Sequence, residues 1–126
     1  MSNVRLWAIG NASNIAASFS STNGDTGALP ANAITHTGGS DGDYIRMPDC
    51  SGSQYFADHH ISISANDGSW SVSLWDNDQS SGEVCWSPTS NYADGYNFPA
   101  SQNSPNCTIL IEVDSNNNPT CYWAPF

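Results

Sequence analysis

The stretch that decides the fold is His60-Ile61-Ser62-Ile63-Ser64-Ala65-Asn66-Asp67-Gly68-Ser69-Trp70-Ser71-Val72-Ser73-Leu74-Trp75. In it, two runs of alternating apolar and polar residues flank an Asp-Gly pair, which favours the positive φ angles of a type I′ turn. The pattern therefore predicts a β-hairpin in which Asp67 and Gly68 form the loop and Asn66 faces Ser69.

The predicted register gives this hairpin one apolar face and one polar face, because side chains alternate along a strand. The apolar face, expected in the core, carries Ile61, Ile63, Ala65, Trp70, Val72 and Leu74. The polar face carries Ser62, Ser64, Ser71 and Ser73, and it ends where His60 lies opposite Trp75. A shift of one residue would expose the whole apolar set, so we expect a firm register.

Further short strands are predicted on both sides of the hairpin, at residues 5–9, 15–19, 43–47, 83–86, 107–113 and 120–123. The ranges 21–30 and 87–105 are rich in Gly, Pro, Asn and Ser and are predicted to be loops. Only residues 28–34 have a pattern that suits a short helix. Short strands separated by turn signals predict an all-β fold, an antiparallel β-sandwich or a Greek-key barrel. The 126 residues are expected to form a single domain, 1–126.

The charge of the chain is strongly negative, with twelve acidic residues against two arginines, Arg5 and Arg46, and a formal net charge of -10. Such a chain repels phosphate backbones and has no basic stripe to offset the repulsion, so we expect no nucleic acid as a partner. No stretch approaches the length that spans a bilayer, and insertion into a membrane is not expected. The oligomeric state stays open between a monomer and a homodimer.

The four cysteines, Cys50, Cys85, Cys107 and Cys121, form no Cys-x-x-Cys pair and have no histidine at a zinc-like spacing. An even number in a small domain with a lean core predicts two disulfides and an oxidising compartment. Three connectivities are possible and the sequence does not choose between them. One of them pairs Cys107 with Cys121 across the last hairpin and Cys50 with Cys85. Disulfides favour a secreted protein whose leader has been removed. The alternative is a cytoplasmic protein with reduced thiols.

A tryptophan closes the polar face of the hairpin, and short polar side chains follow it directly. Trp75 has no apolar neighbour on that face, and Asp76, Asn77 and Asp78 come next in the chain. Sugars offer a C–H face on which a ring stacks and a rim of hydroxyls that carboxylates and amides hydrogen-bond. These four residues and His60 are the predicted glycan-binding residues. The alternative is that a neighbouring loop covers Trp75 and that the polar run is a solvated turn.

The same polar run suggests a second kind of site. Asp76-Asn77-Asp78-Gln79-Ser80-Ser81 resembles the N/D-N/D-x-x-S/T-S calcium motif of βγ-crystallin domains, which are Greek-key proteins. The resemblance implies Ca²⁺ bound between two loops, although the second copy of the motif that this family carries is missing here. A calcium-binding, βγ-crystallin-like defence protein is therefore one alternative, and no other cofactor is predicted.

An enzyme is the other alternative. Ala33-Ile34-Thr35-His36-Thr37-Gly38-Gly39-Ser40 resembles the Ile-Thr-His-Thr-Gly segment that carries a catalytic histidine in the small guanyl-specific fungal ribonucleases. In that family the segment lies near the C-terminus, whereas here it lies in the first third of the chain. The resemblance implies a Glu base, a His acid and an Arg that stabilises the phosphorane. A circularly permuted relative would supply them from Glu83, from His36 with His59 or His60, and from Arg5.

Between these alternatives, the composition favours a lectin-like, carbohydrate-binding module without catalysis. Aromatic residues make up 11% of the chain, and lysine is absent. Serine, asparagine and aspartate, which can hydrogen-bond sugar hydroxyls, supply most of the polarity. We therefore expect glycans as the partners of this protein.

Overall fold

The computed structural model describes residues 4–77, 83–98 and 106–125. Within these ranges the chain forms eleven β-strands and two 3₁₀ helices, and no helix there is long and apolar enough to cross a membrane. The strands are β1 (Arg5–Asn11), β2 (Ala17–Ser21), β3 (Thr26–Leu29), β4 (Ala33–His36), β5 (Ile45–Arg46), β6 (Ile61–Ala65), β7 (Ser71–Asp76), β8 (Val84–Ser87), β9 (Tyr96–Asn97), β10 (Asn106–Val113) and β11 (Pro119–Pro125). The 3₁₀ helices are Ser53–Asp58 and Tyr92–Asp94. The prediction of an all-β fold is confirmed.

The strands form two sheets. A five-stranded sheet has the order β11-β10-β1-β4, and β5 pairs with the first residues of β1, beyond β4. A six-stranded sheet has the order β3-β2-β6-β7-β8-β9 and is antiparallel throughout. In the five-stranded sheet β1 and β10 run parallel, with Asn11 level with Ile111. The expectation of a purely antiparallel fold is therefore wrong for this one pair.

The predicted hairpin is confirmed as β6 and β7. Its register pairs Ile61 with Leu74 and Ile63 with Val72, and all four of these side chains are buried. The hairpin lies in the middle of the six-stranded sheet, because β2 pairs with β6 and β8 pairs with β7. Because apolar and polar side chains alternate along β6 and β7, the apolar ones share one face of the sheet, and that face lines the core.

One hydrophobic core contains residues of both sheets, with the alternating buried positions of each strand directed into it. The five-stranded sheet contributes Leu6, Ile9, Ile45, Cys107, Ile109, Ile111 and Cys121. The six-stranded sheet contributes Ala17, Phe19, Leu29, Ile61, Ile63, Ala65, Val72, Leu74 and Val84. The two sheets therefore bury their apolar faces in a common interior.

A second, smaller core covers the outer face of the six-stranded sheet. Trp75 is only 1% exposed and packs with Cys50 and Cys85. Two rings of the 3₁₀ helices close over it: the centroid of Phe56 lies 5.1 Å from that of Trp75 and the centroid of Tyr92 lies 5.3 Å away. The 3₁₀ helices thus bury part of the face that the sequence predicts to be polar and open.

Two of the sequence-based predictions are wrong for residues 26–36. The ranges 21–30 and 28–34 were expected to be loop and helix, but they contain β3 and β4. Asn32 has a φ of 54°, so the chain turns sharply between the two strands instead of continuing as a helix. The strands form through pairing with distant partners, since β3 lies against β2 and β4 against β1.

The prediction of two disulfides is wrong, because all four cysteines are free thiols. In the β10–β11 pair, Cys107 lies opposite Pro125 and Cys121 lies opposite Ile111. The two cysteines are therefore four residues apart along the ladder, roughly 13 Å. A disulfide requires Cα atoms within about 7 Å of each other.

The other expected pair, Cys50 and Cys85, lies on opposite sides of β7. On one side the Cys50 amide donates to the carbonyl of Asp76 (2.8 Å), and on the other Cys85 of β8 faces Trp75. Two strand spacings separate the flanking segments, roughly 10 Å, which is again too far for a bridge. Without the disulfides, the expectation of a secreted protein loses its main support and stays a prediction.

The buried thiols predict a loss of stability at alkaline pH. Burial, with a smaller contribution from the nearby charge of Glu83, raises the pKa of Cys85 to about 12, and burial raises the pKa of Cys50, Cys107 and Cys121. An unfolded thiol has a pKa of about 8.5, so above that pH only the unfolded state loses its protons. The free energy of unfolding should stay level below about pH 8 and then fall by about 1.4 kcal/mol per pH unit for each thiol.

Urea unfolding between pH 7 and 11 measures this slope, and the Cys107→Ala variant provides the control. The variant should start from a lower stability but show a shallower alkaline slope, because one titrating thiol is gone. Alkylation of the denatured, unreduced protein should add four groups. Equal slopes in the two proteins, or fewer than four alkylated cysteines, would contradict the assignment of free, buried thiols.

Candidate functional site

A polar cavity of about 440 Å³ opens where β7 ends, beside the 3₁₀ helix Ser53–Asp58. Its volume falls within the range of roughly 300–1,000 Å³ that is common for small-molecule sites. It is lined by Asp49, Cys50, Ser51, Tyr55, His59, Asp76, Asn77 and Glu83. We call this the acidic cavity, because three of its lining side chains are carboxylates.

The floor of the acidic cavity is built at the last residues of β7. The backbone of Asp76 pairs with the segment before the 3₁₀ helix: its amide donates to Pro48 and its carbonyl accepts from Cys50, both at 2.8 Å. This pairing brings Asp49 level with Asp76. Asp76 itself is buried, so its backbone fixes the strand end while its neighbours supply the accessible groups.

Asn77 and Glu83 are held in place by hydrogen bonds from their own side of the cavity. The Tyr92 hydroxyl donates to Oδ1 of Asn77 (2.6 Å), which leaves the Asn77 amide as the group that can donate to a ligand. Asn97 Nδ2 donates to Oε1 of Glu83 (2.8 Å), and the Cys85 thiol donates to Oδ1 of Asn97 (2.8 Å). The carboxylate of Glu83 is thus positioned by a chain of two hydrogen bonds that ends at a buried thiol.

The wall of the acidic cavity is aromatic. Tyr55 is 49% exposed although it belongs to a 3₁₀ helix that packs on the sheet through Phe56. His59 meets the Tyr55 ring edge-on, with 6.4 Å between centroids, and Nδ1 of His59 donates to the Tyr55 carbonyl (3.0 Å). An exposed ring therefore stands beside three carboxylates and an amide.

The predicted glycan-binding residues do not all lie at the acidic cavity. Asp76 and Asn77 line the acidic cavity, as does His59, the neighbour of the predicted His60. His60 instead stacks on Phe56, with centroids 4.6 Å apart, and its Nδ1 donates to the Phe56 carbonyl (2.6 Å). Asp78 lies outside the described residues.

The expectation that Trp75 is open for stacking is wrong. The indole is 1% exposed, and Phe56 and Tyr92 cover the face on which a sugar would have to lie. The alternative interpretation, in which a neighbouring segment covers this tryptophan, is the one that the structure supports. Sequence reasoning missed Tyr55 and Asp49, and it named Glu83 only as the base of the ribonuclease alternative. The only local signal for Tyr55 is the Tyr-Phe pair in which it lies.

The calcium prediction rests on a motif of which only Asp76 and Asn77 fall in the described ranges. In residues 4–77, 83–98 and 106–125, no group of three or more His, Cys, Asp or Glu side chains is arranged to hold a metal ion. Asn77 accepts a hydrogen bond from Tyr92 through the oxygen that the motif would offer to the cation. Calcium binding stays a prediction without support from this geometry.

The residues of the ribonuclease resemblance are each engaged elsewhere. Arg5 binds Asp41 (3.3 Å), and His36 donates from Nδ1 to the Trp7 carbonyl (2.9 Å), both in the five-stranded sheet. Glu83, directly before β8 of the other sheet, accepts a hydrogen bond from Asn97 of β9. Ile34, Thr35 and His36 of the matching segment lie in β4, which pairs with β1. No hydrogen bond or ion pair joins Arg5, His36 and Glu83 within the part of the chain that the structure describes.

Comparison of the chain with protein-family models, with curated proteins and with solved structures gave no significant match. The class of ligand that the acidic cavity can bind therefore follows from its own side chains. Carboxylates accept hydrogen bonds, the Asn77 amide donates them, and the Tyr55 ring offers an apolar face. This set can bind a neutral or cationic molecule that carries hydroxyl groups and one apolar face.

Proposed function

We propose that this chain is a carbohydrate-binding module built on a β-sandwich, and that its glycan site is the acidic cavity with Tyr55 as the stacking ring. The observation that carries the proposal is the half-exposed Tyr55 ring on the wall of a concave, polar cavity. Sugars combine a C–H face with a rim of hydroxyls, so they match a ring flanked by carboxylate and amide groups.

The polar groups of the cavity support a specific division of roles. Glu83 and Asp49 accept hydrogen bonds from sugar hydroxyls, and hydrogen bonds to charged groups are worth about 1.5–3 kcal/mol each. Asn77 donates through its amide, because its oxygen is already bound to Tyr92. Since Glu83 is held by Asn97, little side-chain entropy remains to be lost when a ligand binds.

The charge of the cavity restricts the class of sugar. Its three carboxylates, in a chain with a net charge of -10, repel sialylated, sulfated and uronate-containing glycans. Neutral and amino sugars avoid this repulsion. On a glycan array we therefore expect signals from neutral or amino-sugar structures and none that depends on an anionic group.

Tyr55→Ala should weaken binding of the best array ligand about thirtyfold, which corresponds to about 2 kcal/mol for a central aromatic anchor. Isothermal titration calorimetry measures the change. Tyr55 is exposed and its 3₁₀ helix contributes no fully buried side chain, so we expect the variant to keep its fold.

Tyr96→Ala is the matched control, because Tyr96 is 58% exposed but lies on β9, outside the acidic cavity. Its affinity should equal that of the wild type. The proposal fails if no glycan binds, or if the two tyrosine variants lose affinity equally. Cleavage of RNA that disappears in His36→Ala would instead support the ribonuclease alternative.

A further inference from the structure

A second cavity, of about 330 Å³, opens next to the acidic cavity. It is lined by Thr22 and Asn23 in the turn after β2, by residues 46–49, and by Asp58 and His59. Its volume alone falls within the range of roughly 300–1,000 Å³ that is common for small-molecule sites. We call it the side cavity. The glycan site proposed for the acidic cavity does not include it.

The two cavities meet at two side chains, Asp49 and His59, which line both of them. Asp49 is level with Asp76 at the end of β7, and the Pro48 carbonyl accepts from the Asp76 amide (2.8 Å). This pairing holds the segment 46–49 against the end of β7, so that Asp49 borders both cavities. His59 is exposed and Asp49 is only half-buried, so the junction of the two cavities lies at the surface.

The stacking ring of the acidic cavity lies close to this junction. The ring centroids of Tyr55 and His59 are 6.4 Å apart, a distance comparable to the width of one sugar ring. His59 donates from Nδ1 to the Tyr55 carbonyl (3.0 Å), so the imidazole is held in place and its Nε2 is the nitrogen left for a ligand. A sugar unit stacked on Tyr55 therefore ends near the junction, where a unit linked to it would enter the side cavity.

The side cavity repeats the combination of groups that suits a sugar. Pro48 is half-buried and offers an apolar surface. The Thr22 hydroxyl accepts from the His60 amide (3.2 Å), which leaves its proton to donate to a ligand. Asn23 is held by Asp25: its Nδ2 donates to the carboxylate and its Oδ1 accepts from the amide, both at 3.0 Å. One N–H and one lone pair of the Asn23 side chain remain for sugar hydroxyls.

The charge of the side cavity favours the same class of sugar as the acidic cavity. Two carboxylates, Asp49 and Asp58, line it together with one guanidinium group, that of Arg46. Arg46 binds Asp41 (2.9 Å), so its positive charge is already compensated. Anionic sugars are therefore repelled here as well, whereas neutral and amino sugars are not.

We propose that the two cavities form one groove, and that its ligand is a neutral or amino-sugar glycan of at least two linked units. One unit stacks on Tyr55 in the acidic cavity. The next lies against Pro48 in the side cavity, where Thr22 and Asn23 bind its hydroxyl groups. This second subsite depends on the proposed function, since the glycan reaches it from the unit on Tyr55. A single sugar unit therefore occupies only part of the groove.

Isothermal titration calorimetry with the best array glycan and with its own mono- and disaccharide fragments tests this subsite. The disaccharide should bind the wild type at least about tenfold more tightly than either of its single units. Thr22→Val removes one hydroxyl donor of the side cavity, so it should weaken the disaccharide about fivefold and leave the single unit unchanged. Thr26→Val is the matched control, because Thr26 is exposed on β3 and lines neither cavity. It should bind both ligands like the wild type.

Tyr55→Ala separates a failure of the second subsite from a failure of the proposed function, because it should weaken the single unit and the disaccharide by the same factor. The second subsite is overturned, and the proposed function stands, if the wild type binds a single unit as tightly as the disaccharide while Tyr55→Ala weakens both. Equal weakening of the two ligands by Thr22→Val has the same meaning. Absence of any glycan binding, or binding that Tyr55→Ala leaves unchanged, overturns both.

Discussion

Replacing Trp75 by alanine should lower the free energy of unfolding by about 3–5 kcal/mol, the usual range for removing a buried tryptophan. The indole is 1% exposed and fills the space between the six-stranded sheet and the 3₁₀ helices, where Phe56 and Tyr92 pack against it. Gly95 comes so close that a Cβ atom there would lie 2.7 Å from Cζ2 of Trp75. The cavity left by alanine would therefore be lined by groups that cannot all move inward.

Urea unfolding of Trp75→Ala and Tyr55→Ala, measured side by side, tests this assignment. Tyr55 is half exposed, so its removal should cost little stability while Trp75→Ala costs much. Loss of less than about 1 kcal/mol in Trp75→Ala would show that the indole is not buried. That result would support the prediction that the Trp75 ring is open for stacking against a sugar.

Replacing Ile63 by alanine should cost about 2–5 kcal/mol of unfolding free energy. Ile63 is fully buried in β6, at the centre of the six-stranded sheet, between Val72 of β7 and Phe19 of β2. Every neighbour is itself fixed by strand pairing, so the vacated volume cannot collapse easily.

Ser64→Ala is the control, because Ser64 is the next residue of the same strand and points to the opposite face. Its hydroxyl is only partly buried, and the substitution should change stability by less than about 0.5 kcal/mol. Equal losses in the two variants, measured by urea unfolding, would mean that the strand register is wrong.

The part of the fold that was predictable is the part with a strong local pattern. The alternation of Ile61 to Leu74 fixes both the strands and their register, since a one-residue shift would expose the core residues. β3 and β4 were missed because both are short, and Pro30 and Asn32 between them are turn formers that favour a break. The parallel pairing of β1 with β10 joins segments a hundred residues apart, for which no local signal exists.

Only part of the site could be predicted, because nothing in the local sequence indicates where the 3₁₀ helix Ser53–Asp58 packs. Asp76 and Asn77 lie at the acidic cavity because they follow a firmly predicted strand. The burial of Trp75 depends on the 3₁₀ helix Ser53–Asp58, and its six residues, three polar and three apolar or aromatic, are too few to give a periodic pattern that predicts where it packs. The disulfide prediction failed in a similar way, because an even number of cysteines says nothing about their distances.

Chemical-shift mapping of the backbone amides during titration with the best array glycan tests the central claim most directly. If the acidic cavity binds the sugar, the largest shifts should cluster at Tyr55, Asn77 and Glu83, with the outer face of the five-stranded sheet unchanged. A glycan that binds and shifts the amides around Ile34 and Tyr122 instead, leaving the acidic cavity unaffected, would contradict the assignment of the site.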